Sequence, residues 1–179
     1  MSDLEFIKNE DLRLTLENSN EYIYAVLENL KKNEQSELYK EETYRVIILY
    51  VISAIEAVLL YFYKEREEKM EYLDYKFVAP LPKNYIHSEK NSFPVVIAVQ
   101  EKVGKEDHRI GLNDLVTFFK NKKLIQPKTA SQILELNEIR NTFHFSKPRT
   151  KKCSLEHVES ALKLLLHTIE KAPASLKIK

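Results

Sequence analysis

The chain has 179 residues, with 28 Lys or Arg against 27 Asp or Glu and a formal net charge of +1. That length suits one domain with a single core, and the balanced charge excludes bulk electrostatic capture of nucleic acid while leaving room for a local basic patch. With 2 Gly, 6 Pro and no Trp, the chain has no material for a glycine-rich phosphate loop or for folds built on tight turns, so a helical protein is expected.

The single cysteine, Cys153, forbids an intramolecular disulfide and suits a reducing compartment, so a cytoplasmic location is expected. The start Met1-Ser2-Asp3-Leu4-Glu5 is acidic and unlike a signal peptide. Ser2 and Glu5 have the form of a capping box. Leu4, Ile7, Leu12, Leu16, Ile23, Val26, Leu27 and Leu30 then recur at helical intervals, with a break expected near Asn18-Ser19-Asn20.

A second helix is expected after Ser36, running to about Met70. Its middle, Val46 to Tyr63, is apolar almost all round, about 18 residues long and interrupted by Ser53 and Glu56. An internal carboxylate and short length favour a central core helix over a membrane span. Residues 72–107 hold Pro80, Pro82 and Pro94, with the run Phe93 to Val99. That run suits a short helix or, by its β-branched residues, a strand paired with Tyr75–Val78. The region is expected to be an irregular, β-containing insertion.

Further on, Leu112, Leu115, Val116 and Phe119 keep helical spacing. A helix entered through Pro127 is expected from Thr129 to His144, with Pro148 limiting it. Ser154 can cap a last helix through Ile169, with Pro173 just beyond its end and 174–179 a frayed tail. The expected fold is all-α, a bundle of four to six helices in one domain over 1–179.

Within the penultimate helix, Asn137, Arg140, Asn141 and His144 fall on one face. Arg grips phosphate through a planar fork, and His exchanges protons near neutral pH. The set could therefore form a small phosphotransfer site, in which Asn137 and Asn141 orient the phosphate or the imidazole. RNA supplies its own nucleophile, the 2′-hydroxyl, so no metal is required. The same spacing also serves a purely structural bridge between helices.

Glu56 bears a carboxylate in the most apolar helix and needs a partner or a route to solvent. Arg140 is the expected partner, either to lock two helices together or to position the guanidinium. After His144 come Lys147, Arg149, Lys151 and Lys152, a backbone track for nucleic acid or a solvated basic loop. His87, His108, His157 and His167 lack metal-site spacing, and no metal or cofactor is expected.

Taken together, Leu112-Asn113-Asp114-Leu115-Val116-Thr117-Phe118-Phe119, the connector Lys123-Leu124-Ile125 and Leu136-Asn137-Glu138-Ile139-Arg140-Asn141 leading to His144 resemble the HEPN superfamily. An Ile-Arg-Asn triplet before a His is also similar to its mannitol-repressor-like branch. Ser53-Ala54-Ile55-Glu56-Ala57-Val58-Leu59-Leu60 looks like the earlier glutamate-bearing helix of that superfamily.

The resemblance implies an all-α homodimer whose Arg and His line a shared cleft. It further implies a metal-independent endoribonuclease of a toxin–antitoxin, antiviral or RNA-processing system, or an inactive regulatory module. RNA and an antitoxin or regulatory protein are the implied partners, with no membrane. By the motif, Arg140 and His144 are catalytic, with Asn141 beside them. The chain departs from the pattern in leaving only Asn141, Thr142 and Phe143 between the pair.

Overall fold

A computed structural model describes residues 4–32, 34–88, 91–142 and 152–175. They form five α-helices, a short 3-10 turn and one two-stranded sheet. The chain divides into two compact units, one of residues 1–67 with 111–179 and one of residues 68–110.

The first unit is helical. Helix α1, Glu10–Lys32, begins where the Asn9 side chain accepts from the Leu12 N–H at 2.9 Å. It therefore starts later than Leu4 and Glu5 suggest; those residues form a tight turn closed by Ile7 N–H to Leu4 O at 2.9 Å. The expected break at Asn18–Asn20 is absent, because Ser19 Oγ donates to the Thr15 carbonyl at 2.7 Å and satisfies itself on the helix.

Helix α2, Glu37–Lys64, is capped by Ser36, whose Oγ accepts from Tyr39 N–H at 3.2 Å. It ends at Lys64 rather than near Met70. Beyond that point Glu65-Arg66-Glu67-Glu68-Lys69 offers no apolar face to bury. Ile47, Ile48, Val51, Ile52, Ile55, Val58 and Leu59 are fully buried, each worth about 1.5–3 kcal/mol relative to exposure. This helix packs against all four others, so apolar residues on nearly every side find a neighbour.

Helix α3, Leu112–Asn121, opens with the Asp114 carboxylate accepting from Gly111 N–H at 3.0 Å. It closes in a Schellman turn, with Lys123 N–H to Lys120 O at 2.9 Å and Leu124 N–H to Phe119 O at 2.9 Å. Lys123 takes φ 59° there, a left-handed position that normally selects Gly. Helix α4, Pro127–Asn141, starts on proline and closes at Thr142. The expected extension to His144 reaches outside the described residues.

Helix α5, Leu155–Ser175, runs further than expected and includes Pro173 in its last turn. At its entry the Ser154 N–H donates to His157 Nδ1 at 3.2 Å, and the His157 N–H donates to the Ser154 backbone carbonyl at 3.1 Å.

The second unit is the β-containing segment. Strands β1, Glu71–Ser88, and β2, Asn91–Gly104, pair antiparallel from Glu71 opposite Gly104 to Ser88 opposite Asn91. The strand alternative for Phe93–Val99 is the one adopted, with Lys76 opposite Val99 and Phe77 opposite Ala98. Register shifts follow Phe77 and Pro80, where a proline that cannot donate to a ladder is tolerated.

Candidate functional site

Helices α2 and α4 are joined by an ion pair, Arg140 Nη1 to Glu56 Oε2 at 2.6 Å. The pairing expected for the carboxylate within the apolar middle of α2 is thus present. Both groups sit at a partly open edge, with 27% of the Arg140 side chain and 23% of the Glu56 side chain exposed. The bond uses one guanidinium nitrogen of a group with five N–H donors. Among the described residues, that bond leaves the other guanidinium donors of an oriented cation unassigned.

The rest of the expected stripe divides. Asn137 is buried and donates through Nδ2 to Asn113 Oδ1 at 3.1 Å, tying α4 to α3. Asn141 is half-buried at the last position of α4. His144, Lys147, Arg149 and Lys151 lie outside the described residues, and Lys152 is exposed. The structure therefore brings Glu56 and Arg140 together and directs Asn137 toward α3.

A second charged centre escaped the sequence reading. Arg45 on α2 is 2% exposed. Its Nη2 meets Glu41 Oε1 at 2.7 Å, its Nε lies 3.8 Å from Glu42 Oε1, and its Nη1 donates to Thr142 Oγ1 at 2.8 Å. The Thr142 hydroxyl in turn donates to the Ile139 carbonyl at 2.7 Å. Glu41 Oε1 also accepts from Cys153 N–H at 3.3 Å. The Arg45 hydrogen bond holds the Glu41 carboxyl below the usual carboxylate range, helped by the Cys153 N–H and opposed by burial.

The signal was in the sequence: Glu41 and Glu42 stand four and three residues before Arg45, immediately ahead of Val46-Ile47-Ile48. Only Arg45 of this group is buried, and Glu41 and Glu42 reach it from a partly exposed rim. Cys153, beside this centre, is itself buried, and its thiol is pushed up to about 11 by desolvation. It is a poor nucleophile in that state.

At the start of α5, Ser154 Oγ lies 2.8 Å from His157 Nδ1, which also accepts the Ser154 N–H. Nδ1 is therefore an acceptor, and the ring serves the helix cap. Among the described residues no three His, Cys, Asp or Glu side chains are grouped to hold a metal. Two apolar grooves run along α1. One, of about 360 Å³, is lined by Leu12, Leu16, Leu49, Tyr50 and Ala57; the other, of about 90 Å³, by Leu16, Ile23, Leu165 and Ile169. Neither includes Glu56 or Arg140.

Comparison of the chain with family models, curated proteins and solved structures finds no match.

Proposed function

We propose that the chain is a HEPN-like, metal-independent endoribonuclease acting in the cytoplasm, with Arg140 and His144 as its reacting groups. The 2′-hydroxyl of RNA attacks the adjacent phosphorus and the bond to the 5′-oxygen breaks, leaving a 2′,3′-cyclic phosphate and a 5′-hydroxyl. His144 moves the proton as base or acid, and Arg140 stabilises the charge that develops on the phosphate oxygens. Asn141 supports the site directly and Asn137 only by tying α4 to α3, Glu56 orients the guanidinium, and Lys147, Arg149, Lys151 and Lys152 follow the RNA backbone.

The observation that carries this reading is the Glu56–Arg140 pair, which holds the guanidinium while 27% of the Arg140 side chain is exposed. A homodimer with both sites in one cleft, and control by an antitoxin or regulatory protein, belong to the same proposal. A second reading, a non-catalytic regulatory or interaction module, draws on a different observation: Asn137 is spent on Asn113 within the helical unit.

Purified protein incubated with single-stranded RNA in EDTA separates the two. Cleavage that His144→Ala abolishes, with the circular dichroism and melting profile retained, supports the enzyme. Intact RNA at high protein concentration, or an unchanged rate in His144→Ala, leaves the module reading standing alone.

A further inference from the structure

The sheet of the second unit consists, among the described residues, of β1 and β2 alone. A two-stranded ribbon is marginal in water, and a long apolar strand edge is a template for another chain. This ribbon is unusually apolar where it meets solvent. Leu73, Tyr75 and Phe77 on β1 are 57%, 69% and 60% exposed. Being two apart, they share one face.

The ladder also fixes which backbone groups of β1 are open. Lys105 N–H donates to Met70 O at 2.8 Å at the end of the pairing register. In an antiparallel ladder such bonded positions alternate. Met70, Tyr72, Asp74 and Lys76 therefore turn their backbone groups toward β2, and Leu73, Tyr75 and Phe77 turn theirs toward the open edge. Tyr75 N–H agrees with this assignment, since the Asp74 carboxylate accepts it at 2.8 Å.

We propose that this open edge of β1 pairs with the same edge of a second copy of the chain, antiparallel about a two-fold axis at Tyr75. In that register Tyr75 faces its own copy, Leu73 faces Phe77 and Asp74 faces Lys76, all within the regular stretch before the register shift after Phe77. The backbone groups of Leu73, Tyr75 and Phe77 then bond across the axis, and the two ribbons become one four-stranded sheet. The Asp74 carboxylate exchanges the Tyr75 N–H for the ammonium of the partner strand.

Charge selects the register. A two-fold axis normal to the sheet keeps each residue on its own face, so it must pass through a residue position rather than between two. An axis at Asp74 sets carboxylate against carboxylate, and one at Lys76 sets ammonium against ammonium. The axis at Tyr75 makes an opposite-charge pair twice over. Strand β2 has no such self-complement, since Glu101 and Lys102 are adjacent and fall on opposite faces. The surface is separate from the cleft proposed around Arg140, and the association it predicts is recognised by its sensitivity to charge on β1.

The test is sedimentation of the whole chain across roughly 1 to 100 µM, with charge variants of β1. The expected result is a dimer that Asp74→Lys and Lys76→Asp each weaken by about tenfold or more, because each turns both attractive pairs into repulsive ones. The double variant Asp74→Lys/Lys76→Asp restores the dimer, and mixing the two single variants gives a heterodimer. Tyr75→Cys provides a readout that does not depend on charge. Opposed residues in a bonded pair have Cα atoms about 5.5 Å apart, within disulfide reach, so oxidation is expected to link two chains. A monomer throughout that range, or a dimer indifferent to the charge reversals and not trapped by Tyr75→Cys, overturns the proposal.

Discussion

The Glu56–Arg140 contact supports a quantitative prediction. At about 4 Å between charge centres the gross attraction is about 4 kcal/mol for the effective dielectric of a protein edge near 20. Desolvation returns part of this. A fully buried pair loses about 3–5 kcal/mol when one partner is removed, and an exposed one about 0–1 kcal/mol. With 27% and 23% of the two side chains exposed, the pair falls between those limits. Arg140→Ala or Glu56→Gln is therefore expected to cost about 2 kcal/mol. In a chain of this size that corresponds to a fall in Tm of about 4–8 °C.

A double-mutant cycle in urea, followed by helical ellipticity, separates the pair from the packing of each side chain. The expected coupling energy is about 1–2 kcal/mol, reduced only modestly by salt because the contact is mostly shielded. Additivity within about 0.3–0.5 kcal/mol would refute the reasoning. The guanidinium would then owe its position to packing rather than to Glu56.

Three further outcomes are expected. Arg45→Met should cost about 3–5 kcal/mol in urea unfolding, more than Arg140→Ala, because it strands Glu41 beside a buried centre; a smaller loss than at Arg140 contradicts the ranking. Lys123→Gly should stabilise the chain by about 0.5–1 kcal/mol, since the left-handed turn at φ 59° costs a side chain more than glycine; a lower midpoint in urea counts against it.

For Cys153 the folded thiol titrates at about 11 against an ordinary 9.0. Its contribution to stability is thus complete below pH 9 and lost as pH rises toward 11, a total on the order of 2–3 kcal/mol. Cys153→Ala should flatten that alkaline decline, and native Cys153 should resist alkylation near pH 8; labelling as fast as in urea refutes both.

How far the sequence revealed the molecule depends on the kind of signal. Helices were legible where a polar cap met an apolar period, as at Ser36 before α2 and Pro127 at the head of α4. Ends were less legible. Asn18-Ser19-Asn20 looks like a breaker, yet Ser19 bonds back to Thr15 and α1 continues. The ribbon was legible only as an alternative, because a short β-branched run has the same composition in a strand and in a buried helix. Glu56 was conspicuous as a lone charge among apolar neighbours, and the match of an Arg fork to a carboxylate allowed Arg140 to be named as partner. Arg45 was not conspicuous, because Glu41 and Glu42 made it look like part of an ordinary charged first turn.

The two arginines of this fold do different physical work, and the difference lies in what surrounds each guanidinium. Arg45 is enclosed, with Glu41, Glu42 and Thr142 around it. A buried fork held on several sides has little left to offer a ligand, and its energy goes into specifying geometry. Arg140 is joined to one carboxylate among the described residues, at a partly open edge. Thr142, two residues beyond Arg140, rests on Arg45, and Cys153 rests on Glu41. One ion pair therefore holds both ends of the stretch that carries His144 and the basic run. Fixing two ends together limits the closure entropy of the chain between them. Loss of Arg45 removes the Thr142 contact and takes from Glu41, which accepts from Cys153, the partner that anchors it, whereas loss of Arg140 loosens one helix pair. A function that depends on His144 approaching Arg140 should therefore suffer in both variants, but for reasons that stability measurements can separate.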